Sequence, residues 1–166
     1  EQSPKVVDYT IAAHLQADGR TIKGELSLDW KNTTTQPTQE LHWHVYNNAW
    51  KSRDSLFMQE AHRFGVNRSP REWGGTQIKE VTLKDGTPLE FSYQPQSGAP
   101  KDETVLITKL PKEVQPGETV SVELSFNAVL PPAFVRSGVD GDGGYIHAVQ
   151  WYPQAGVFEE LEGMIP

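Results

Sequence analysis

His42 and His44 stand two residues apart in Glu40-Leu41-His42-Trp43-His44-Val45, the spacing at which an extended strand aims both imidazoles at one face. Two such rings could begin a zinc site. No third ligand lies at a readable spacing, however, and the helical H-E-x-x-H pattern of metallopeptidases does not occur, so the pair reads as one face of a strand. His14, His62 and His147 are isolated. Asp140-Gly141-Asp142-Gly143-Gly144 resembles the opening of an acidic calcium loop. The EF-hand form closes with a glutamate at its last position, where this chain has Trp151, and a flexible turn is expected instead. There is no G-x-S-x-G elbow, and Arg136-Ser137-Gly138 reads as a loop triplet. Trp50, Trp73 and Trp151 could stack on sugar rings, although packing is the expected role of each. Asn32-Thr33-Thr34 and Asn67-Arg68-Ser69 match the glycosylation sequon, which has meaning only in a eukaryotic secretory pathway. The residues by themselves assemble no self-contained active site.

Composition narrows the classes further. The chain has 166 residues, with 15 Lys and Arg against 22 Asp and Glu, a net charge of -7. That balance argues against nucleic acid as a partner, because phosphate-backbone binders carry a basic face. The absence of cysteine removes disulfides, thiolate metal sites and a thiol nucleophile together. No apolar run approaches the ~20 residues of a membrane-spanning helix, so no membrane span is expected. Length and an aromatic content of 10% fit one folded domain.

The elements that must position these residues alternate apolar and polar positions, the period of half-buried strands. Tyr9, Ile11, Ala13 and Leu15 share a face, and Asp18-Gly19 signals a hairpin into Ile22, Gly24, Leu26, Leu28 and Trp30. Leu41 to Tyr46, Ile78 to Leu83, Leu89 to Tyr93, Thr104 to Leu110, Thr119 to Leu130 and Tyr145 to Tyr152 follow the same rule. Lys84-Asp85-Gly86-Thr87-Pro88 predicts a second hairpin, and Gln115-Pro116-Gly117-Glu118 a turn. Ser52 to Phe64 alone reads as a short helix, capped by Ser52 or Asp54. The expected fold class is mainly β, an antiparallel sandwich with one short helical insert.

Several phrases in order carry a family resemblance. They are Tyr9 to Leu15, Thr21 to Thr33, Glu40-Leu41-His42-Trp43-His44-Val45-Tyr46-Asn47-Asn48-Ala49-Trp50, and Ala148-Val149-Gln150-Trp151-Tyr152-Pro153-Gln154-Ala155-Gly156-Val157. Together they resemble the N-terminal domain of bacterial zinc aminopeptidases of the aminopeptidase N-like gluzincin family. The resemblance implies a saddle-like, largely antiparallel β domain packed on a catalytic domain. The zinc, its ligands and the general base would belong to that catalytic domain, leaving no cofactor in this chain. Residues 1–158 would form the N-terminal domain, and residues 159–166 a truncated linker toward the catalytic partner. The resemblance implies one contribution to substrate: Gln150, in Val149-Gln150-Trp151-Tyr152-Pro153, would hold the peptide's N-terminal α-amine. An amide oxygen can accept a hydrogen bond from ammonium, though less strongly than a carboxylate. His44 would be structural.

A location in the bacterial periplasm or outside the cell is the expectation, from the family and from a polar start at Glu1 that looks like a trimmed mature terminus. The abrupt stop at Pro166 reads as a boundary cut within a longer enzyme. Such a cut should leave apolar surface around Leu130 to Val135 and around Val157, Phe158 and Leu161. The alternative is an independent β-sandwich that binds carbohydrate or a partner protein through its tryptophans.

Overall fold

The computed structural model describes residues 5–65, 72–133, 136–141 and 144–158. Among these the chain forms strands β1 (Val7–Leu15), β2 (Thr21–Lys31) and β3 (Thr38–His44), a 3-10 turn (Tyr46–Trp50) and helix α1 (Leu56–Arg63). Strands β4 (Gly75–Leu83), β5 (Phe91–Tyr93), β6 (Val105–Val114) and β7 (Thr119–Val129) follow. The short strands β8 (Gly138–Val139), β9 (Ile146–His147) and β10 (Gln154–Ala155) close the order. There are two four-stranded antiparallel sheets, ordered β1-β2-β7-β4 and β10-β3-β6-β5, and a separate two-stranded β8-β9 pair. The expected mainly β, antiparallel class with one short helix is the observed one.

Alternation builds the core. Ile22, Leu26, Leu28 and Trp30 of β2 and Val122, Leu124, Phe126 and Ala128 of β7 face Leu41 and Trp43 of β3 and Leu106 and Leu110 of β6 in one buried cluster. At the middle, Trp43 is fully buried and its indole N–H donates to the equally buried Thr108 hydroxyl at 3.0 Å. A buried indole needs such a partner.

The Asp18-Gly19 hairpin forms as expected. Gly19 takes φ +67°, and the Asp18 carboxylate accepts hydrogen bonds from the Arg20 and Thr21 amides and from the Thr21 hydroxyl at 2.6–2.9 Å. The Thr21 hydroxyl is the strongest of these influences and, with the two amides, lowers the Asp18 carboxyl from 3.8 to about 2. A depressed folded-state value stabilises the hairpin above the ordinary carboxyl range, and that contribution fades as pH falls from about 4 toward 2. Asp18→Asn should therefore lower the melting temperature at pH 6, with the gap from wild type closing by about pH 2. Parallel thermal melts across that range check this.

Four expectations are corrected. Ile78–Leu83 and Leu89–Tyr93 do not form a full hairpin: after a tight turn at Gly86 and the single bridge Thr82↔Pro88, the chain crosses over and β5 joins the opposite sheet. Proline does not end β6 at Leu110. Pro111 lies inside the strand, within the bulge where pairing with β3 jumps from Glu40↔Lys109 to Thr38↔Val114; an irregular ladder is where a residue without an N–H is tolerated. Helix α1 is capped by Ser55, whose hydroxyl accepts from the Met58 amide, and not by Ser52 or Asp54. Its first amide, of Leu56, is satisfied by the buried Asp102 carboxylate at 2.8 Å, a long-range cap that no local pattern encodes. Finally, of the Tyr145–Tyr152 run only Ile146–His147 is strand.

Candidate functional site

The failure of that last strand defines the candidate site. Beyond His147 the backbone leaves the ladder, and Gln150 takes φ +52°, the only positive φ on a non-glycine residue among those described. Gln150 is therefore not a strand residue, and its side chain is exposed. A left-handed conformation costs an ordinary residue about 1 kcal/mol or more, and it persists only where the surroundings impose it.

The surroundings are built from both ends. On one side the buried Ser137 hydroxyl bonds both polar groups of the Val149 backbone, donating to its carbonyl at 2.8 Å and accepting from its amide at 3.1 Å. On the other side Trp151 packs on Phe126, with ring centroids 5.8 Å apart, and on Tyr152 at 5.5 Å. Tyr152 meets Tyr9 edge-on at 5.9 Å. The Tyr9 hydroxyl accepts from the Ala155 amide at 2.7 Å, and β10 then pairs Gln154 with His44 and Ala155 with Trp43. Burial pushes the Tyr9 phenol above its ordinary 10.0, reinforced by Tyr152 and opposed by the Ala155 amide. Under Phe126, its register partner Gly24 has no Cβ; one added there would overlap the ring. The sequence Gly24, Phe126, Trp151 thus forms a packed stack from β2 outward, next to which Gln150 is displayed.

The other sequence candidates fall elsewhere. His42 is half-exposed beside Glu40 at 3.3 Å, while the His44 ring stacks on Tyr46 at 5.1 Å. No group of three His, Asp or Glu able to hold a metal occurs among the described residues. Asp140 begins the β8-β9 hairpin loop, its amide donating to the Tyr145 carbonyl, while Asp142 and Gly143 lie outside the described residues. Asn32 is fully buried, donating to the Gln36 and Val114 carbonyls, which leaves no free amide for a glycan. Asn67 lies outside the described residues.

The tryptophans offered for sugar stacking are packed. Trp50 is buried against Met58 and Phe57 with Trp73 beside it, and Trp151 is part of the stack above. Exposed apolar surface is found instead at Phe57 of α1 and its C-cap Phe64, 40% and 85% exposed, at Tyr145, and at Val157 and Phe158. Phe57, Ala61 and Phe64 follow helical spacing along α1 and its C-cap, with Phe57 edge-on to Trp50 and Phe64 left open. Of Leu130 to Val135, expected in such surface, Leu130 and Pro131 are buried, Pro132 is half-buried and Ala133 exposed; Phe134, Val135 and Leu161 lie outside the described residues. The outer face of the β1-β2-β7-β4 sheet carries a shallow cleft of about 450 Å³ lined by Thr10, Glu25, Ser27, Glu80, Thr82 and Glu123. No helix among the described residues is long and apolar enough to cross a membrane.

Sequence reasoning named Gln150 and treated Ser137 as loop filler. Ser137 directly precedes β8 and reaches the Val149 backbone just beyond β9, a proximity that becomes legible only once β8 and β9 pair.

No protein-family model matches the chain, and no curated protein does either. Among solved structures it is similar to the M1 zinc metallopeptidase of Deinococcus radiodurans in three forms. With a mutant bound to a Tyr-Ser-Ala substrate it shares 12% identity over 81% of this chain and 24% of that one, with a TM-score of 0.48. The same mutant without substrate gives 12%, 81%, 24% and 0.47, and the metallopeptidase itself 12%, 82%, 24% and 0.47. The chain thus spans about a quarter of the length of these structures.

Proposed function

We propose that this chain is the non-catalytic N-terminal β domain of a larger zinc aminopeptidase, in which it shapes the substrate channel and offers Gln150 to the peptide's N-terminal amine. The observation that carries the reading is the conformation of Gln150: an exposed amide held left-handed between a clamped Val149 and a stacked Trp151. Backbone strain of this kind clusters at binding sites. An exposed amide oxygen is an acceptor for an ammonium group.

Uncovered apolar side chains on α1 and at Val157 and Phe158 support a second domain packing on this one. That partner would hold the zinc and the general base, and residues 159–166 would lead toward it. The working location would be the bacterial periplasm or the medium. The isolated chain should show no chelator-sensitive turnover of an aminoacyl chromogenic substrate, whereas the uninterrupted gene product should. Chelator-sensitive turnover by the 166-residue chain alone would overturn the assignment.

A further inference from the structure

Strand β1 forms one edge of its sheet. Opposite β2, the even-numbered residues make the ladder bonds, because the Lys31 amide bonds Val6 and the Gln16 amide bonds Thr21 in the same register. In an antiparallel pair the alternate residues then turn their backbone N–H and C=O groups away from the partner. Val7, Tyr9, Ile11, Ala13 and Leu15 therefore point both groups outward, and no described backbone group engages them. The strand is nine residues long, contains no proline or lysine, and leaves Leu15 44% exposed. Edges of this length are usually blunted by such residues; this one is not.

We propose that β1 pairs with the β1 of a second copy of this chain, antiparallel about a two-fold axis at Ile11, joining two sheets into one. This inference does not depend on the proposed function. It is the self-complementarity of the strand that names the occupant. Centred on Ile11, the pairing engages all nine residues; a shift in either direction leaves some unpaired. On the core side Leu15 meets the second copy's Val7, and Ala13 meets its Tyr9, covering apolar side chains that a single copy leaves open.

On the outer side Asp8 falls opposite His14 of the other copy, twice by symmetry. These are non-hydrogen-bonded positions, where side chains approach most closely. Across β2 the same polarity repeats: Asp8 sits next to Asp29 and His14 next to Lys23, so an acidic corner meets a basic one. Lys5, paired with Asp8 at 2.6 Å, lies just beyond the paired stretch.

Light scattering and sedimentation of the full 166-residue chain test this. A concentration-dependent mass approaching twice the 18.6 kDa of one chain is expected. Ile11→Pro should abolish association without unfolding the domain, because the lost N–H points away from β2 and proline is tolerated there; circular dichroism verifies the fold. As a second variant, His14→Glu should weaken association about tenfold by setting like charges opposite, and Asp8→Lys combined with His14→Glu should restore it. A chain monomeric up to ~1 mM would overturn the proposal. So would a dimer indifferent to these variants, or a monomer whose odd-numbered β1 amides are protected from hydrogen exchange.

Discussion

Replacing Trp43 by alanine should cost about 3–5 kcal/mol and lower the melting temperature by something on the order of 10 °C. Trp43 is fully buried near the end of β3, and its indole is part of the core between the sheets. Alanine leaves a cavity that β-sheet backbones, held by their ladders, cannot collapse to fill. It also orphans the Thr108 hydroxyl, which is itself fully buried. Two further variants separate these effects. Trp43→Phe keeps most of the volume but strands Thr108, so its cost is expected near 1–3 kcal/mol. Adding Thr108→Val to Trp43→Phe should return part of that loss, since removing both polar partners is milder than removing one. Urea denaturation of the four proteins, with m-values compared, measures each step.

The second large effect is expected at Phe126. Phe126→Ala should destabilise by a similar ~3–5 kcal/mol, but with a consequence that Trp43→Ala does not share. Phe126 is the middle of the stack that starts on the bare backbone of Gly24 and supports Trp151. Without it Trp151 loses its inner neighbour, and the segment that displays Gln150 is released while the sandwich remains folded at moderate temperature. Two-dimensional NMR distinguishes the variants: the Trp151 indole and Gln150 amide resonances should shift or broaden in Phe126→Ala and stay near wild type in Trp43→Ala.

The strands were largely legible from sequence because each has one buried and one wet face, and period-two alternation records that directly. Thr119–Val129 and Thr21–Lys31 are the clearest cases. What alternation does not record is which sheet a strand joins. The Asp85-Gly86 turn has hairpin chemistry, yet the chain after Pro88 crosses to the other sheet. The strand expected over Thr104 to Leu110 continues through Pro111 for a related reason, since a bulge excuses the missing N–H and a bulge has no local signature.

At the candidate site the alternating run around Gln150 imitated a strand. Its apolar positions pack against the core without joining a ladder, with Trp151 beside Phe126. The supports of Gln150 come from far along the chain: Ser137 across a hairpin, Tyr9 from the first strand. Contacts of that range leave no spacing to read.

If the chain is part of the proposed aminopeptidase, steady-state kinetics of that whole enzyme with Gln150 varied is the most direct test. If Gln150 accepts the substrate's α-ammonium group, Gln150→Ala should raise KM for free-amine peptides about tenfold. Gln150→Glu should lower it, because a carboxylate makes the stronger, charge-assisted bond. KM values unmoved by both substitutions, in folded and active enzyme, would contradict the assignment.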